Sequence, residues 1–78
     1  MTGLVLFVRE GCHLCDEFAL GLELDLGIAF EDVAMVDVDS RADLAARYGL
    51  RVPVLENDGK LLCEGRYDSS EVRRRLRL

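Results

Sequence analysis

Two cysteines separated by two residues, Cys12-His13-Leu14-Cys15, stand where an apolar run gives way to a helical pattern, and that placement leaves few architectures open. The run, Leu4-Val5-Leu6-Phe7-Val8, is short, unbroken and rich in strand formers, as expected of a strand covered on both faces. Arg9, Glu10 and Gly11 end it. From His13 onward, Leu14, Phe18 and Leu22, joined by Ala19, Leu22 and Leu26, recur at helical spacing. A strand-like signal competes: Leu20, Leu22, Leu24 and Leu26 alternate with Gly, Glu and Asp, and Gly21 costs a helix up to ~1 kcal/mol relative to Ala. Topology favours the helix. Two parallel strands need a crossover of a dozen or more residues, and this is the only segment able to supply it. Gly27 is the predicted helix stop.

The next strand is expected within Ile28 to Val38, most securely Ala34 to Val38. Ser40 then reads as an N-cap with Asp43 in an acidic first turn, opening a short helix that turns Leu44 and Tyr48 inward and ends at Gly49. Leu50 follows at the position where an apolar contact often accompanies a glycine cap. Val52-Pro53-Val54-Leu55 opens a third strand, and Asp58-Gly59 signals a hairpin into Lys60-Leu61-Leu62-Cys63. Asp68 with Glu71 has the form of a capping box for a last helix carrying Val72 and Leu76 inward. The predicted order is βαβαββα, a single α/β domain over residues 1–78 with a four-stranded mixed sheet flanked by helices.

The composition narrows function. Fifteen acidic against ten basic residues give a net charge of −5, which disfavours nucleic acid and anionic membrane surfaces as partners. The longest apolar run is too short to span a bilayer, and no small-residue cleavage site follows it, so the expectation is an unexported, cytoplasmic protein. An odd cysteine count with one close pair fits a redox or metal site in a reducing compartment better than a secreted disulfide scaffold.

The two thiols differ in environment. The first cysteine of such a motif sits at a helix N-terminus, where unpaired N–H groups and the helix dipole favour a thiolate. Cys12 is therefore assigned as nucleophile. Cys15, one turn into the helix, is the resolving thiol that attacks the mixed disulfide on Cys12.

Taken together, Cys12-His13-Leu14-Cys15 after a strand, the Val52-Pro53 step, and Cys63-Glu64-Gly65-Arg66-Tyr67-Asp68 before the last helix resemble the glutaredoxin-like proteins of the thioredoxin-like superfamily. The resemblance covers nearly the whole chain. It implies a thioredoxin-like fold, thiol-disulfide oxidoreductase activity on protein or glutathione mixed disulfides, and a cis Val52–Pro53 bond beside the dithiol. It also implies that the Val52 backbone, Pro53 and Asp68 contact substrate, with Arg51 or Arg66 as further glutathione positions. Glutathione is then a co-substrate, no cofactor is tightly bound, and a disulfide-containing protein and a thioredoxin-type reductase are the expected partners of a monomer. The chain departs from common glutaredoxin patterns at His13-Leu14, where Pro-Tyr is usual, and at Arg51, where Thr is usual.

Two residues read as modulators. His13 can tune or shuttle the Cys12 proton, against the plainer reading of a solvent-facing residue in the first helical turn. Hairpin register places Cys63 across from Pro53 or Val54, near the dithiol, although a lone strand cysteine is more often a small buried hydrophobe. Glu31-Asp32 and Asp37 with Asp39 read as solvated strand ends, and the arginines from Arg73 to Arg77 as cations meeting a helix dipole. Two alternatives differ in class: an adaptor of the same fold with idle thiols, and a zinc or iron-sulfur module built from Cys12, Cys15, Cys63 and His13. The favoured reading has no metal.

Overall fold

A computed structural model describes residues 3–28 and 30–77. Its elements are β1 (Leu4–Val8), α1 (His13–Leu26), β2 (Ala34–Asp37), α2 (Ala42–Tyr48), β3 (Val54–Asn57), β4 (Lys60–Glu64) and α3 (Ser69–Leu76). Short 3-10 turns at Phe30–Asp32 and Val38–Ser40 flank β2. The strands form one mixed sheet in the order β2-β1-β3-β4. β1 runs parallel to β2 and antiparallel to β3, with Leu6 opposite both Met35 and Leu55 and Phe7 opposite both Val36 and Val54.

Alternation along β1 divides the core. Leu4 and Leu6 face Phe18, Leu22, Leu55 and Val72, which places α1 and α3 on one side of the sheet. Phe7 faces Val38, Leu44, Tyr48 and Val54, which places α2 on the other. Both faces of β1 are thus covered, which is why its sequence is apolar without a break. In α1, Leu22 and the half-buried Leu26 pack inward while Leu20 and Leu24 face solvent. The alternating leucines are therefore two helical i, i+4 pairs on opposite faces.

The helix ends are settled locally. Gly27 closes α1 with φ 69°; its N–H returns to the Glu23 carbonyl, and the Ile28 N–H returns to the Leu22 carbonyl. Asp58 (φ 52°) and Gly59 (φ 83°) both take left-handed backbone between β3 and β4, the requirement of a tight hairpin. Asp68 caps α3 by accepting from the Glu71 N–H at 3.1 Å. The Glu71 carboxylate does not complete a reciprocal box; it pairs with Arg74 and Arg75.

Three expectations need correction. Ser40 does not cap α2: Arg41 occupies the N-cap, and Ser40 Oγ donates to the Asp37 carbonyl at 2.6 Å inside the preceding 3-10 turn. The Asp43 carboxylate instead receives the Arg41 guanidinium. Leu50 makes no capping contact and is fully exposed, at 101%. Gly49 keeps right-handed backbone (φ −54°, ψ −34°), so no left-handed cap forms to fold Leu50 back. Finally, Cys63 lies opposite Leu55, and Val54 faces Glu64. A β-bulge shifts the register between Leu55 and Glu56, and Leu62 and Cys63 both enter the core on the α1 and α3 side.

One polar network ties α1 to α3. The Asp25 carboxylate accepts from Tyr67 Oη and Ser69 Oγ, each at 2.6 Å, and from Arg73 at 2.8 Å. Arg73, then Ser69 and Tyr67, hold this carboxyl well below the usual carboxylate range. Burial and the bond to Asp25 push the Tyr67 phenol up. Because the folded-state pKa of Asp25 is depressed, its contribution is present above the unfolded-state value and is lost as pH falls through the folded one, below about pH 5. Thermal melts from neutral to acid pH should therefore show Asp25→Asn less stable than wild type at pH 7, with the difference narrowing on acidification. A gap that stays constant with pH would refute that assignment.

Candidate active site

Strand register brings four connections to one end of the sheet. β1 ends at Val8 beside Asp37 of β2, β3 begins at Val54 beside Phe7, and Glu64 at the end of β4 pairs with Val54. Residues 9–12, 38–41, 49–53 and 65–68 therefore gather there. Cys12 is the N-cap of α1 in extended backbone (φ −94°, ψ 104°), and its Sγ accepts from the Cys15 N–H at 3.0 Å. Cys12 and Cys15 are joined as a disulfide with Cα atoms 5.2 Å apart. Cys15 is buried, whereas Cys12 is half-buried at the helix start. Gly11 before it takes φ 76°, a conformation glycine adopts without cost.

Pro53 is fully buried, the Val52–Pro53 bond is cis, and the Pro53 carbonyl accepts from the Gly65 N–H at 2.8 Å. The preceding turn is anchored: the N–H groups of Arg51 and Val52 both donate to the Tyr48 carbonyl. Asp68 is exposed and spends one carboxylate oxygen on the α3 cap. His13 is exposed in the first turn of α1.

Cys63 is buried among Leu55, Leu62 and Val72, and its thiol donates to the Arg66 carbonyl at 3.2 Å. Burial pushes the Cys63 thiol up. Native protein treated with iodoacetamide under reducing conditions should therefore alkylate at Cys12 within minutes and at Cys63 only on unfolding. Equal labelling of the two would refute this. Among the described residues, no three His, Cys, Asp or Glu side chains converge to hold a metal ion.

Sequence reasoning missed the ties that hold these connections. Arg9 donates to the Asp39 carboxylate through Nε (2.9 Å) and Nη2 (3.0 Å), and to the Gly49 carbonyl through Nη1 (2.8 Å). The Arg9 guanidinium holds the Asp39 carboxyl below its ordinary range. Asp39 is thus an ion-pair partner and not a freely solvated strand end. A Cβ at Gly49 would lie 2.4 Å from the Ala45 carbonyl oxygen, so the backbone needs glycine there, and it would also stand 3.0 Å from Arg9 Nη2. Arg51 reaches Glu64 through Nε and Nη2 while lying 5.2 Å from the Tyr48 ring centre. The Tyr48 hydroxyl donates to Glu56, and that carboxylate, followed by burial, pushes the phenol up. These partners are 13 to 40 residues apart in sequence or sit in different elements, which is why no local pattern announces them.

The glutaredoxin-like domain profile matches residues 3–77. Among solved structures, the X. campestris target protein XcR50 is 35% identical over 95% of each chain, with a TM-score of 0.79. Protein Ne2328 from Nitrosomonas europaea is 32% identical over 92% of this chain and 87% of its own, also with a TM-score of 0.79. The oxidized glutaredoxin 2 of Chlamydomonas reinhardtii is similar in fold, at 19% identity and a TM-score of 0.59 over 90% of this chain and 66% of its own. No curated protein matches the chain. Among the described residues, a four-stranded mixed sheet, three helices and a Cys12–Cys15 pair at the start of α1 give the chain a fold similar to that of glutaredoxin, and the chain belongs to the glutaredoxin-like domain family.

Proposed function

We propose that this protein is a thiol-disulfide oxidoreductase whose working group is the Cys12/Cys15 dithiol. The observation that carries the reading is the disulfide between these two residues at the N-cap of α1, with Cys12 the more exposed. In the reduced protein, the N–H of Cys15 and the dipole of a 14-residue helix favour the Cys12 thiolate. That thiolate attacks one sulfur of a substrate disulfide; the S–S bond breaks and the departing sulfur leaves as a thiolate. Cys15 gives its proton to that leaving group and attacks Cys12 Sγ. The second substrate thiolate departs and takes a proton, the Cys12–Cys15 disulfide closes, and two electrons have passed to the substrate.

Re-reduction takes two electrons from free glutathione or from a thioredoxin-type reductase, and the cycle needs no bound cofactor. The Val52 main chain and Pro53, at the same end of the sheet, are proposed to receive the substrate backbone, with Asp68 at the border. The protein acts as a monomer in the cytoplasm, where the dithiol is kept reduced.

Titration against glutathione redox buffers, with free thiols counted by alkylation and intact mass, tests the proposal. The expected result is loss of the two motif thiols in one two-electron step, with a midpoint between about −180 and −270 mV, the range of known exchange catalysts. Thiols that stay free throughout would instead favour an adaptor of this fold.

A further inference from the structure

We infer, on the strength of the dithiol reading, that Glu64 is a specificity-determining residue: by holding Arg51 it denies a cation to glutathione and leaves the site to disulfides carried on polypeptides. Glutathione presents two carboxylates, and a site that retains it must offer cations close to the reactive sulfur. Four arginines stand at the dithiol end of the sheet, and Arg41 among them pairs with Asp43. Arg9 is bound on both faces of its fork, by the Asp39 carboxylate and by the Gly49 carbonyl. Arg51 directs Nε and Nη2 at Glu64, and the Tyr48 ring supports the guanidinium from one side. Only Arg66, of the four, makes no ion pair among the described residues.

The commitment of Arg51 is built into the fold. Glu64 is the last residue of β4 and pairs directly with Val54, one residue beyond Pro53, so strand register sets the carboxylate beside the turn that carries Arg51. Glu64 also places its own negative charge there, which repels a carboxylate arriving at the dithiol. A polypeptide disulfide needs neither cation. It engages through its main chain, and the neighbouring turn offers it the fully exposed Leu50.

The test separates binding from chemistry. S-methylglutathione cannot exchange, so its affinity, followed by NMR titration, reads the charges that meet it apart from any chemistry. A small aromatic disulfide reads the dithiol reaction alone. Wild-type protein should bind S-methylglutathione without saturation up to about 10 mM, whereas Glu64→Gln should bind it at least about fivefold more tightly, with an affinity that falls as salt rises. The double variant Glu64→Gln/Arg51→Gln should lose most of that gain, and in both variants the change in affinity should exceed any change in the rate of aromatic disulfide reduction. Saturable wild-type binding that depends on Arg51, or a Glu64→Gln protein with unchanged affinity, would overturn the inference. Failure of wild type to reduce the aromatic disulfide would instead overturn the dithiol reading.

Discussion

Replacing Cys12 with Ser is expected to reduce turnover of a protein disulfide to the level of buffer alone, while Cys15→Ser traps a mixed disulfide on Cys12. The asymmetry follows from where the sulfurs stand. Cys12 holds the N-cap and is half-exposed; Cys15 is buried one turn in, within reach of Cys12 and shielded from a large partner. A hydroxyl at position 12 is too weak a nucleophile for disulfide exchange, and the buried Cys15 thiol is not presented to replace it. A hydroxyl at position 15 leaves the first attack intact and removes only the intramolecular second step. That step owes its speed to the high effective concentration of a neighbouring thiol. Intact mass should detect the Cys15→Ser adduct with substrate and its disappearance on adding dithiothreitol. Full turnover by Cys12→Ser, or trapping on Cys15 in its place, would sink this assignment of roles.

Gly21→Ala should destabilise the protein by about 1 kcal/mol, although alanine is the better helix former by about the same amount. The reason lies across the helix. A Cβ at position 21 would stand 2.8 Å from Cγ and Cδ2 of Tyr67. That ring is not free to swing away. It packs edge-on against Phe18 with centroids 5.3 Å apart, and its hydroxyl donates to Asp25. Overpacking a held ring costs about 1 to 3 kcal/mol, more than the propensity gain recovers. In a Tyr67→Ala background the sign should reverse, so that Gly21→Ala becomes stabilising. Urea unfolding of the four proteins, with unchanged m-values, measures the cycle. A destabilisation that persists without Tyr67 would show that the ring is not the cause.

The features legible in the sequence are those decided within a few residues. The run Leu4 to Val8, the Gly27 stop, the Asp58-Gly59 hairpin and the Asp68 cap each rest on local backbone or side-chain chemistry, and each is where the pattern placed it. The same holds for the Cys12/Cys15 pair, whose partners are one helical turn apart. Gly21 was legible only as a cost to α1, because its benefit is a contact with a residue 46 positions away (67 − 21). The Ser40 cap failed because a 3-10 turn inserted after β2 took that hydroxyl first. Arg9 was visible as a base upstream of the motif, but its partners at Asp39 and Gly49 emerge only once β2 and α2 are folded beside β1.

The bulge at Leu62 has a second effect, on how copies of this protein meet. β4 is one edge of the sheet, and an exposed edge is an open template for strands of other molecules. Two residues set opposite one break the regular spacing of donors and acceptors along β4, and Arg75 Nη1 donates to the Leu61 carbonyl at 3.0 Å beside the break. Lys60 adds a charge at the strand's start. The opposite edge carries only the short β2, with Met35 partly exposed on it. Intermolecular strand addition is therefore blunted on the longer edge, and β2 lacks the bulge that protects β4.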